Sequence, residues 1–156
     1  MLRAKDVMTK DVISVSPEAT VVEAARLMVG RRISGVPVIE NDRLVGIVSE
    51  GDLVHRAEIG TAEQRGSWWL RLLSDAGSLA EDYARSHSRY VRDVMTRHVH
   101  AVAEVTPVAK VAELLDRRRI KRVPVMRGET VVGIVSRGDL LKGILAEAEA
   151  ASPPVA

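Results

Sequence analysis

The sequence contains no cysteine and no phenylalanine, and aromatic residues make up only 3 % of it. The first absence excludes disulfides, thiolate metal sites and cysteine nucleophiles, and fits a reducing compartment. The second leaves Val, Leu, Ile and Ala to fill the interior, as in a β-branched sheet packed by small-residue helices. A charge excess is missing too: 23 Lys and Arg stand against 21 Asp and Glu, a formal net charge of +2. That is too balanced to imply a polyanionic partner. No apolar run approaches the roughly 18 residues of a membrane helix. The first residues, MLRAKD, lack the apolar core of a secretion signal. Together these absences predict a soluble, cytoplasmic protein with no membrane contact. The 156 residues, 46 % of them hydrophobic, suffice for one ordinary domain or two very small ones.

What the chain does have is a repeat. GIVSEGDL runs from Gly46 to Leu53, and GIVSRGDL runs from Gly133 to Leu140, 87 positions later. The same offset lays Asp6-Val7-Met8-Thr9 on Asp93-Val94-Met95-Thr96, and Val36-Pro37-Val38 on Val123-Pro124-Val125. From Asp6 to Leu53 no gap is needed, and roughly half of the positions are identical.

Both copies read in one order. After the DVMT leader comes a brief extended piece, Val12 to Val15 or Val99 to Val102. An amphipathic helix follows, with Val21, Ala24, Ala25 and Met28, or Val108, Val111, Ala112 and Leu115, at i, i+3, i+4 and i+7. Thr20 with Glu23 has capping-box spacing, and Thr106 before Pro107 reads as an N-cap and first-turn pair. Two strands come next, Val36 to Ile39 and Leu44 to Val48, or Val123 to Met126 and Val131 to Val135. The turns between them are Glu40-Asn41-Asp42-Arg43 and Arg127-Gly128-Glu129-Thr130. A last helix starts just after Ser49 or Ser136. The expected fold is therefore α/β (α+β), two β-α-β-β-α repeats. Repeat one spans 1–57, a helical insert 58–90, repeat two 91–147 and a tail 148–156. In the insert, Trp69, Leu72, Leu73 and Ala76 have helical spacing, and Ser78 with Glu81 opens a second short helix. The adjacent Trp68 and Trp69 point to core, dimer or partner packing.

Two readings of the repeated phrase are open. Ser-x-x-Asp is a helix-start pattern, so Ser49 with Asp52 and Ser136 with Asp139 can be caps alone. The same geometry also suits a nucleotide. A helix N-terminus favours an anion, the serine hydroxyl can bond a phosphate, and an ionised aspartate can accept both hydroxyls of a ribose. Ile47 and Val48 would offer apolar surface to the base.

The Arg117–Arg122 stretch is either a solvated helix end or a phosphate-facing cluster. It lacks the aromatic platform of a single-strand binder, so no nucleic-acid partner is expected. His98 and His100 alternate on an expected strand, but no third ligand is near in sequence, and no metal site is expected. No Walker-type glycine loop or nucleophile–base motif appears, so no enzymatic activity is expected.

The register of DVMT, VPV and GIVS-x-GDL in both copies resembles a tandem pair of CBS domains, a Bateman module. The resemblance covers nearly the whole chain except the insert and the tail. It implies two repeats packed about a pseudo-twofold axis, with clefts for adenosine ligands such as AMP, ADP or ATP, and in some members NAD or S-adenosylmethionine. It implies no covalent cofactor. The resemblance gives the Asp139 cleft Ile134, Ser136 and Lys121, with Ile33, Ser34, Gly35 and the segment through Val12 and Ile13 from the other copy. It gives the Asp52 cleft Ile47, Ser49 and Ser34, with Ile120, Lys121 and Arg122; Val99 and His100 are the counterparts of Val12 and Ile13. Ser34-Gly35 is neutral where Lys121-Arg122 is basic, so the sites should be unequal, with phosphates drawn to the copy-two side. The implied role is ligand sensing in signal transduction. A homodimer is expected, and an effector protein in trans or on a domain absent from this chain. The competing expectation is a structural dimerisation scaffold with unused clefts.

Overall fold

The computed structural model describes residues 1–53 and 90–152. The expected insert helices, Trp68 and Trp69, and Pro153 and Pro154 of the tail lie outside those residues. In chain order the elements are α1 Ala4–Val7, α2 Val21–Arg31, β1 Gly35–Glu40, β2 Arg43–Ser49, α3 Val91–Val94, β3 Val102–Ala103, α4 Val108–Arg118, β4 Arg122–Arg127, β5 Thr130–Ser136 and α5 Arg137–Ala151. Residues 50–53 are helical as well. The four expected main strands are present, each a residue longer at both ends.

Two compact units result, and their boundaries differ from those of the sequence repeats. One unit joins Met1–Val12 to Val99–Ala156, and the other is Ile13–His98. Each copy's leader thus belongs to the unit formed by the body of the other copy. We call them the Asp139 unit and the Asp52 unit.

In the Asp139 unit, β3 pairs parallel with β4, and β4 pairs antiparallel with β5. In the Asp52 unit β1 pairs antiparallel with β2, and Val15 makes a single parallel bridge to Val38. The expected early extended pieces are correspondingly shorter and later than the sequence suggests: regular pairing begins at Val102, not Val99. His98 and His100 are on irregular backbone rather than a strand, and they fall in different units. Alternation of valines does not make a strand until a neighbour accepts its ladder, and only the end of each segment reaches one.

The expected helical stripes form the cores. Val21, Ala24 and Met28 of α2 pack with Val36, Val38, Val48 and Leu53, and the core is completed by Val91, Val94 and Met95 of the second leader. Val108, Val111 and Leu115 of α4 pack with Val123, Val125, Val135 and Leu140, and with Ala4 of the first leader. The Thr20 box is formed: Glu23 N–H donates to Thr20 Oγ1 at 3.1 Å and Thr20 N–H donates to Glu23 Oε2 at 2.8 Å. The Thr106 cap is corrected. The offset places Pro107 opposite Thr20, and Pro107 itself takes the N-cap place of α4 with no side-chain bond.

Both helices end in a left-handed arginine, Arg32 and Arg119, each at φ 53°. Ile33 N–H then donates to Met28 O at 2.9 Å, and Ile120 N–H to Leu115 O at 3.0 Å. These are the six-to-one bonds of a Schellman motif, with the isoleucine tucked back on the core. The hairpin turn of the Asp52 unit holds Asn41 and Asp42 at φ 50° and 62°, as a type I′ turn requires; its counterpart holds Gly128 at φ 60°.

Candidate functional site

The DVMT and GIVS motifs belong together because they touch. In the Asp139 unit Met8 lies against Gly133, where an added Cβ would overlap the Met8 Sδ and Cγ. In the Asp52 unit a Cβ on Gly46 would stand 2.6 Å from Met95 Sδ and 3.0 Å from Thr96 O. The threonines complete the join. Thr9 exchanges both backbone bonds with Ile134 at 2.9 and 3.0 Å, and Thr96 does the same with Ile47 at 2.8 and 2.9 Å. The aspartate of DVMT closes the short leader helix: Asp6 Oδ2 accepts from Arg3 N–H at 2.8 Å, and Asp93 Oδ2 from Tyr90 N–H at 3.2 Å.

Beyond Ile47 and Ile134, β2 and β5 deliver a serine to a helix start. Ser136 N–H and Oγ donate to Asp139 Oδ2 at 2.8 and 2.7 Å, and Asp139 N–H donates back to Ser136 Oγ at 3.3 Å. Ser49 and Asp52 repeat this at 2.9, 3.1 and 3.3 Å. The capping reading of the phrase is therefore correct in both units. It does not displace the ligand reading, because both bonds that the Asp139 carboxylate accepts from Ser136 end on Oδ2. The carboxylates are half-buried, as are Ser49, Ser136, Ile47 and Ile134.

The next shell differs between units. Glu50 N–H donates to Ser34 O at 3.0 Å, and Arg137 N–H to Lys121 O at 3.1 Å, so residues 34 and 121 sit beside their helix starts. Arg137 Nε also donates to Ile120 O at 3.3 Å. The Asp139 helix start is thus flanked by Lys121, Arg122 and Arg137. The Asp52 helix start has Ser34, Gly35 and Glu50 at the same places. Of the residues expected for the Asp139 cleft, Val12, Lys121, Ile134 and Ser136 belong to its unit, whereas Ile13, Ile33, Ser34 and Gly35 belong to the other. Of those expected with Asp52, Ser34, Ile47 and Ser49 share its unit, whereas Val99, His100, Ile120, Lys121 and Arg122 do not.

Sequence reasoning missed Thr96. Its hydroxyl donates to Asp52 Oδ1 at 3.3 Å, across 44 positions of chain. The available signal was the DVMT repeat itself, which marks Thr96 as the partner of Thr9.

The Asp139 unit also has an open groove of about 680 Å³, whose lining includes Lys5, Lys10, Val12, Glu104 and Arg127. Neither Ser136 nor Asp139 lines it. Its Arg127 donates to both oxygens of Glu104 at 2.8 Å. That hydrogen bond lowers the Glu104 carboxyl below its ordinary value and raises Arg127 above its own. Among the described residues no group of three His, Asp or Glu is arranged to hold a metal ion, and no helix is long and apolar enough to cross a membrane.

Comparison with known proteins agrees with this construction. The CBS domain pattern matches residues 4–58 and 91–146. The Methanocaldococcus jannaschii protein MJ1426 is 33 % identical over 152 residues, covering 90 % of this chain and 90 % of that protein. The inosine-5'-monophosphate dehydrogenase of the same archaeon is 32 % identical over 142 residues, which is 90 % of this chain but only 23 % of the enzyme. Among solved structures, Arabidopsis thaliana CBSX2 in complex with AMP superposes with a TM-score of 0.72 at 25 % identity, over 95 % of this chain and 99 % of that one. With both repeats matched and the fold shared, the chain belongs to the CBS domain family as a tandem pair, a Bateman module that regulates rather than catalyses.

Proposed function

We propose that the chain senses an adenosine nucleotide, and that the Asp139 unit is its main seat. The observation that carries this reading is the Ser136–Asp139 pair in its charged setting. One carboxylate oxygen is committed to the cap, while Oδ1 is directed to none of the cap bonds. An ionised carboxylate can accept two ribose hydroxyls, as acidic residues do in other nucleotide folds.

Charge supplies the second half. A cation at the first position of a helix opposes the helix dipole, so Arg137 is out of place as a stabiliser. Beside Lys121 and Arg122 it suits a phosphate. At the matching position Glu50 obeys the dipole rule and repels a phosphate. The reading therefore places nucleotide phosphates on the Asp139 side. CBSX2, solved with AMP, supports the ligand class. Binding would bias a conformation read by an effector protein, or by a domain outside this chain, by no more than its differential affinity for the two states.

A second reading, a homodimeric scaffold, is favoured by one feature. Leu141, Ile144 and Leu145 on α5 are 64 %, 52 % and 60 % exposed, and their spacing puts them on one stripe. A second copy of the chain is the occupant that this reading expects.

One experiment separates the two. Calorimetric titration with AMP, ADP, ATP, NAD and S-adenosylmethionine is run on the wild type and on Asp139→Asn, which keeps a cap acceptor, beside sedimentation of the same samples. The expected outcome is micromolar binding of a phosphorylated adenosine compound, lost or weakened at least tenfold in Asp139→Asn. A folded dimer that binds none of the five compounds rejects the sensor reading and leaves the scaffold.

A further inference from the structure

We infer that Thr96 is a built-in competitor for the Asp52 carboxylate, and so adds to the difference in ligand affinity that the surrounding charges make between the two helix starts. The inference rests on the nucleotide reading above and adds a residue to it.

The serine–aspartate boxes and the leader pairings of the two units can be compared bond by bond. The serine–aspartate boxes have the same three bonds, and Thr9 and Thr96 make the same pair of backbone bonds to Ile134 and Ile47. The side chains of the two threonines then diverge. Thr96 is half-buried, and its Oγ1 donates to Asp52 Oδ1 at 3.3 Å. Thr9 is exposed, and among the described residues its hydroxyl has no hydrogen-bond partner.

A carboxylate is acceptor-only, with about four lone-pair sites on its two oxygens. In each unit the serine amide and hydroxyl take Oδ2. A vicinal diol approaching Asp139 meets Oδ1 without a hydroxyl already on it. A diol approaching Asp52 meets Oδ1 holding the Thr96 hydroxyl, which stands where a ligand hydroxyl would donate. The ligand must displace that bond or accept poorer geometry. The Thr96 hydroxyl bonds the carboxylate itself, so its effect falls on any ligand that presents a diol to that group.

The test uses the full chain and AMP as probe, in an Asp139→Asn background that isolates the Asp52 site. Removing the hydroxyl with Thr96→Val keeps the side-chain shape and the backbone pairing. A net hydrogen bond of ordinary strength predicts AMP binding about three- to tenfold tighter than in the background. Thr96→Ser, which restores a hydroxyl, should return the affinity to the background value. A merely structural Thr96 would give the opposite order, with Thr96→Val binding no better or worse. Unchanged or weaker binding in Thr96→Val overturns the inference while leaving nucleotide sensing in place. A wild type that binds AMP at neither site rejects both together.

Discussion

The Asp139 unit and the Asp52 unit share four anchors: a methionine on a glycine, a threonine paired with an isoleucine, a serine–aspartate box and a left-handed arginine after the long helix. They part at residues 50 and 137, 34 and 121, and 35 and 122, which surround the helix starts without building them. Positions identical in the two copies are thus explained by folding first. Gly133 is glycine because Met8 needs the room, and Asp139 is aspartate at least because a helix begins there. The positions that differ carry no bond of the shared frame through their side chains, and they change the charge around the helix starts. In the eight-residue phrase the one changed letter, Glu50 against Arg137, is the one that, on the proposed function, would tell the two helix starts apart for a phosphate.

Three sets of changes sharpen this comparison, the largest effect first. Deleting residues 1–8 removes Ala4, Leu2, Val7 and Met8 from the Asp139 core. The full burial of Ala4 and the partial burial of the other three are lost, so the unit should be destabilised by about 3–6 kcal/mol. Amide exchange should show protection falling in β4 and β5 and holding in β1 and β2. Uniform loss of protection in both units would mean that the exchanged leaders do not define separate cooperative blocks.

Next come the glycines. Alanine at 133 meets the Met8 Cβ as well as its flexible end, whereas alanine at 46 meets mainly the Met95 thioether and one carbonyl. Overpacking of this kind costs about 1–3 kcal/mol, and Gly133→Ala should lie above Gly46→Ala within that range. Urea melts of the two variants measure the order. Addition of Met8→Ala should restore part of the loss in Gly133→Ala and none in Gly46→Ala.

The smallest effect concerns the helix starts of α2 and α4. Thr20→Ala should cost about 1 kcal/mol by breaking the cap. Thr106→Ala should cost only a few tenths, because Pro107 holds the cap place and Thr106 makes no side-chain bond to the helix. Equal thermal shifts in the two variants would contradict the assignment.

Much of this architecture is legible in the sequence because its signals are local. Period-3.6 stripes mark α2 and α4, alternating valines mark β1, β2, β4 and β5, and the Thr20 box announces itself by spacing. The capping role of Asp52 and Asp139 is readable for the same reason. What escapes is long-range or atypical. No local pattern says that DVMT joins the opposite copy, since that pairing spans 125 positions from Thr9 to Ile134. The left-handed ends at Arg32 and Arg119 lack the glycine or asparagine that normally marks such a cap. Thr96 is found only by following the leader to its partner strand.

The exchanged leaders also bear on the history of the chain. A single ancestral copy, with one leader and one body, would have had its own DVMT and its own GIVS, but the bodies here accept the leader of the other copy. Such a copy completes its core by lending its leader to a twin and borrowing one in return. In this chain the same exchange is made within one molecule, and the two halves differ around a frame that neither completes alone.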